Sequence, residues 1–158
     1  MIIYVCDYVI REPFITEHSL DIKQLGLEEL LDIVKKVYTT GGSVLVRKTD
    51  AQISEEYGGL DYDDIDRYSM VCDPRYGYLL GCSIDQNEGF PNGTYLSLIN
   101  KEEKDPEKNY VFDPYDDEWQ AKYVNQDIKI ALNVFKEIYD LGELSAESKK
   151  LFICNNST

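Results

Sequence analysis

The sequence predicts an α+β domain: a mostly antiparallel sheet of about five to six strands, with two main helices packed on one face. Three observations predict it. Residues 27–38 and 126–141 carry apolar side chains at helical spacing. Between them lie short runs rich in Val, Leu, Ile and Tyr, joined by connections too short for a crossover helix. The length of 158 residues suits one domain, and a hydrophobic content of 43% is too high for a disordered acidic tail.

Residues 2–10, rich in Ile, Val and Tyr, read as the first strand, and Pro13 breaks the pattern. In the first helix Leu27, Leu30, Leu31, Val34, Val37 and Tyr38 form one buried stripe. Glu28 and Glu29 in its first turn and Lys35 and Lys36 near its end complement the helix dipole, and Gly41-Gly42 stops it. Residues 43–48 are a strand around Val44, Leu45 and Val46. Residues 50–66, with Gly58-Gly59 inside, read as a long exposed loop with one helical turn near Ser54-Glu55-Glu56. Strands near 67–73, 76–84 and 93–99 follow as an antiparallel meander, turning first at Asp73-Pro74-Arg75. Tyr110-Val111-Phe112 is a short strand or extended arm ending at Pro114. The last main helix carries Ile128, Ala131, Leu132, Phe135, Ile138 and Tyr139 as its stripe, with Val134 flanking and Gly142 just past its end. Residues 145–152 add a last turn or short helix. Residues 1–154 are thus expected to form a single globular domain, and 155–158 a frayed tail.

Charge narrows the partners. Thirty Asp and Glu against sixteen Lys and Arg make a formal net charge of -14. Nucleic-acid phosphate and anionic lipid would repel such a surface, so neither nucleic acid nor a membrane is an expected partner. The opening segment lacks a basic region and contains Asp7, so it does not read as a signal peptide. No run reaches the roughly 18 apolar residues that span a bilayer, and a cytoplasmic location is expected.

The acids are concentrated. From Asp50 to Asp66 there are seven acidic residues and no basic one, and a second cluster spans residues 113–119. Aromatics sit among both. The candidate binding residues are therefore Glu55, Glu56, Tyr57, Asp61, Tyr62, Asp63, Asp64 and Asp66 in the first, and Tyr115, Asp116, Asp117, Glu118 and Trp119 in the second. Carboxylates steer a cationic partner, and Tyr and Trp are enriched where interfaces pack.

Catalytic and metal signatures are weak. Phosphate-binding glycine loops are absent. His18 is the single histidine and reads as a solvated surface residue; a Cys–His catalytic pair would need a thiol brought beside it. Cys6, Cys72, Cys82 and Cys154 are widely spaced and read as reduced thiols behaving as small hydrophobes, without zinc spacing. Counting a calcium loop from Asp61 puts Asp66 at position six and Cys72 at twelve, where Gly and Glu are required. No cofactor is expected.

Three stretches, Gly41-Gly42-Ser43-Val44-Leu45-Val46, Tyr76-Gly77-Tyr78-Leu79-Leu80-Gly81 and the helix with its exit from Asp127 to Ser145, resemble immunity proteins of bacterial polymorphic-toxin and contact-dependent growth inhibition systems. The resemblance implies a small, acidic, cytosolic α+β protein, not an enzyme, that binds and neutralises a cognate toxin domain. It implies no particular binding residue, because those stretches are mostly structural. A cationic nuclease-type toxin, its active site occluded by the acidic clusters, is the expected target. A small carboxylate- or divalent-metal-dependent hydrolase is the alternative, and an acidic nucleic-acid mimic or adaptor the third reading. The oligomeric state is open.

Overall fold

The computed structural model describes residues 1–54, 59–84, 94–113 and 116–154. Strands β1 (Ile2–Arg11) and β2 (Phe14–Asp21) form a hairpin, followed by one turn of helix, α1 (Ile22–Leu25), and by α2 (Leu27–Thr40). Then come β3 (Gly42–Ser54), β4 (Gly59–Asp73), β5 (Gly77–Ile84), β6 (Thr94–Leu98), β7 (Asn109–Phe112) and β8 (Asp117–Gln120). Helix α3 (Ile128–Leu141), the short α4 (Ala146–Lys149) and β9 (Phe152–Cys154) complete the order.

The main sheet runs β2-β1-β3-β4-β5-β6-β9 with every neighbouring pair antiparallel, and β7-β8 form a separate two-stranded ribbon. The α+β architecture with two helices against an antiparallel sheet is as expected. The main sheet has seven strands, because β2 and β9 extend its two edges. Neither edge carried a readable pattern: β2 is exposed from Phe14 to Ser19, and β9 is three residues long.

The core lies between the sheet and α2 and α3. Alternation along each strand sends Cys6 and Ile10, Val44 and Val46, Tyr68, Met70 and Cys72, and Tyr78, Leu80 and Cys82 to the helical side. There they meet Leu30, Ile33, Val34 and Val37 of α2 and Ala131, Val134, Phe135 and Ile138 of α3. Three of the four cysteines are in this core as free thiols, the small-hydrophobe role expected of them.

Helix α2 runs two residues past Tyr38. Lys35 and Lys36 therefore stand a turn before its end, where their carbonyls accept hydrogen bonds from the hydroxyls of Thr39 and Thr40. Gly41 closes the helix by donating to Val37 O at 2.8 Å. Gly42 is needed for a different reason: its φ is +128°, and a Cβ there would overlap the carbonyl of Val9 on the neighbouring strand. At α3, Asp127 caps the first turn by accepting from the Lys129 amide, and Gly142 ends it in the left-handed region.

The acidic stretch is not a loop. Strands β3 and β4 stay paired from Gly42↔Cys72 through Thr49↔Asp64 to Ser54↔Gly59, so residues 50–54 and 59–66 are β-structure. Carboxylates are uncommon in strands because of what surrounds them, not because the backbone forbids them. Here the ladder supplies the backbone bonds and basic neighbours take up charge. Residues 55–58 and 155–158, and with them most of the expected helical turn and the expected tail, lie outside the described residues. Among the described residues no helix is long and apolar enough to cross a membrane.

Candidate functional site

The two acidic clusters have different fates. In the first, Glu55, Glu56 and Tyr57 lie outside the described residues, and Asp61, Tyr62 and Asp63 stand on β4 opposite Gln52, Ala51 and Asp50. Asp64 and Asp66 are engaged within the molecule. Arg47 bridges two strands, its Nε 3.0 Å from Asp7 Oδ2 and its Nη1 3.3 Å from Asp64 Oδ1, and Arg67 approaches Asp64 at 3.6 Å. Asp66 is only 5% exposed and accepts a hydrogen bond from Tyr68 Oη at 3.2 Å. Burial, and then the charge of Asp66, push the Tyr68 phenol well above its ordinary range. Asp66 therefore does not belong to an exposed steering surface. The period-2 alternation of β4, hidden by the acidic composition, turns it toward the core side with Tyr68.

The second cluster is presented outward. Tyr115 lies outside the described residues, while Asp116, Asp117, Glu118 and Trp119 are all exposed, Trp119 at 40%. Their ribbon is pinned to the β4–β5 turn. Arg75 reaches both carboxylate oxygens of the buried Asp73, and its Nη2 also lies 3.0 Å from Asp113 Oδ2 and donates to Val111 O at 3.3 Å. Tyr76 beside it stacks on Tyr110 with ring centroids 4.6 Å apart and on Phe112 at 6.1 Å. These contacts fix β7, and the register Tyr110↔Trp119 then fixes where Trp119 stands on β8.

Trp119 overhangs the face of the sheet that α2 and α3 leave free. On that face Val9, Ser43, Val71 and Leu79 are successive cross-strand partners, one from each of β1, β3, β4 and β5. They floor a groove of about 640 Å³, walled by Phe14, Phe112, Asp113, Asp117 and Trp119. A second hollow of about 280 Å³ continues past Trp119 over Ser69, Gly81 and Ser97, the next cross-strand row. Val71 is 37% exposed and Phe14 74%, so apolar surface is open at both floor and rim. Composition points to Trp119 and its acids but not to the floor. The available signal was the continuous apolar run Tyr78-Leu79-Leu80 beside Met70-Val71, which marks strands with apolar side chains on both faces.

The residues with catalytic or metal-binding side chains are dispersed. His18 is exposed on β2, with Nδ1 3.8 Å from the carboxylate of Asp7. Burial pushes the Cys6 and Cys82 thiols up to about 12 and raises Cys72 further, which keeps them protonated and unreactive. Among the described residues no group of three or more His, Cys, Asp or Glu is gathered as a metal cage would be. The arrangement sets an indole and an apolar floor beside carboxylates on a ribbon anchored by Arg75 and Tyr76.

No protein-family model, curated protein or solved structure matches the chain.

Proposed function

We propose that this chain is a non-enzymatic immunity protein that binds and neutralises a cognate bacterial toxin domain in the cytoplasm, its acidic surface occluding a cationic active site of nuclease type. The observation that carries the reading is the exposed set Asp116, Asp117 and Glu118 on the ribbon that presents Trp119, on a chain of net charge -14. An acidic field raises the encounter rate with a Lys- and Arg-rich site, and a half-exposed indole gives the packed contact that a field alone lacks. The ribbon is pre-organised by Arg75 and Tyr76, so little ordering entropy opposes docking there.

The test is growth protection. Where a toxin gene stands directly upstream of this reading frame, its C-terminal domain is expressed with and without the chain. Restored growth and a stable complex on size-exclusion chromatography are expected. Continued killing in cells that accumulate the folded chain would reject the proposal.

A further inference from the structure

We infer that the groove between Phe14 and Trp119 receives an apolar side chain from a lysine- or arginine-bearing segment of a partner protein. This rests on the binding reading above and assigns it a place: the helix-free face of the sheet, not the β3–β4 hairpin.

Two features select such an occupant. The floor row of Val9, Val71 and Leu79 and the walls Phe14 and Trp119 are apolar and at least partly open, with Phe112 buried behind them, so filling the groove removes apolar surface from water on both sides. The border is acidic. Asp113 and Asp117 line the groove, while Asp116 and Glu118 are exposed on the same ribbon, Glu118 on its far side, where it accepts from Asn109 Nδ2 at 3.0 Å and adds to the field rather than to the rim. Among the described residues that line the groove the cation is Arg11, and Arg75, bound to the lining residue Asp113, is already held by Asp73 as well. The balance at the rim is thus negative on a chain that is itself at -14. Complementarity calls for positive charge flanking the inserted side chain. A second copy of this chain is disfavoured as the occupant, since docking would bring the same excess of carboxylates against itself.

Trp119 is the single tryptophan, so its fluorescence reports this site alone. The probe is a synthetic peptide alternating leucine with lysine, compared with leucine–glutamate and serine–lysine peptides of equal length. The leucine–lysine peptide is expected to shift the emission to shorter wavelength as water leaves the indole. Its affinity should fall about tenfold or more between about 0.05 and 0.5 M salt. The pair Phe14→Ser and Val71→Ser should weaken it about tenfold, as should the pair Asp117→Asn and Glu118→Gln. Glu147→Gln, which removes an exposed acid on α4, should not. Phe14 is exposed on an edge strand, so Phe14→Ser alone gives a reading if the double variant does not fold.

An unmoved emission up to about 1 mM leucine–lysine peptide would overturn the inference. Equal binding of the serine–lysine peptide would remove the apolar groove from it, and equal binding of the leucine–glutamate peptide would remove the charge. A blue shift that grows with protein concentration alone would assign the groove to a second copy instead. Growth protection separates the two readings. Full protection by the Phe14→Ser, Val71→Ser chain sinks the groove assignment while the immunity reading stands, and failure of the wild-type chain sinks the immunity reading itself.

Discussion

Arg75 holds Asp73 in a two-pronged grip, Nε to Oδ1 at 3.0 Å and Nη2 to Oδ2 at 2.7 Å. The carboxylate is 1% exposed, and it also accepts from the amides of Arg75 at 3.0 Å and Asp113 at 3.1 Å. One buried acid thereby joins the β4–β5 turn to the end of β7. Asp73→Asn keeps the shape but removes the charge and half of the acceptor capacity. A loss of about 1–3 kcal/mol in urea denaturation is expected. The β7–β8 ribbon should loosen as well, read as faster amide exchange at Val111 and Phe112 than at core strands such as β4. Unchanged exchange there would mean that the Tyr76 stack alone anchors the ribbon.

Acid should release the same anchor. The hydrogen bonds from Arg75 hold the Asp73 carboxyl down at about 2, against an ordinary value of 3.8, even though burial works the other way. A carboxyl lowered in the folded state stabilises fully above its unfolded value and loses that contribution as pH falls through the folded one. The Asp73 share is therefore intact above about pH 4 and lost between about pH 4 and 2. Glu137 acts in the same direction. Partial burial opposes its charge, but hydrogen bonds from the Ser145 and Ser148 hydroxyls and the Ser145 amide outweigh burial and lower its carboxyl. In an acid titration of stability, Asp73→Asn should flatten the limb below about pH 4. A limb as steep as that of the wild type would show that other carboxyls carry it.

The thiols divide cleanly. Cys6, Cys72 and Cys82 are buried with raised pKa values, whereas Cys154 is exposed at the end of β9. Iodoacetamide at pH 8 should add one label to the native chain, at Cys154, and label all four cysteines in urea. Mass spectrometry reads the count directly. Rapid native labelling of Cys72 would contradict the packing of β4 against the helices.

How much of this is legible in the sequence depends on how local the cause is. Helix α3 is legible in its stripe and its Gly142 stop, which lie within one stretch of chain; it starts at Ile128 rather than 126 because Asp127 turns to cap it. Gly41-Gly42 announces a break but not the reason for Gly42, whose close neighbour is the carbonyl of Val9 on another strand. The β3–β4 hairpin is hidden because alternation is read from hydrophobicity, and four of the six residues 61–66 are acids. The groove is the least legible feature. Val9, Ser43, Val71 and Leu79 are far apart in sequence, and only the register of four strands sets them in one row beneath Trp119.

The two acidic clusters should separate by experiment as they do by burial. Asp66 is enclosed with the Tyr68 hydroxyl, so Asp66→Asn should act on stability, by about 1–2 kcal/mol, and leave the rate of association with a toxin domain near the wild-type value. Asp116→Asn, Asp117→Asn and Glu118→Gln together touch only exposed side chains and should leave urea denaturation almost unmoved. Their effect belongs to encounter: association slowed about three- to tenfold at low salt, with a shallower dependence on ionic strength. Stopped-flow mixing, following Trp119, distinguishes the two. Slower association from Asp66→Asn with the triple variant unaffected would return the binding surface to β4 and overturn the assignment to β8.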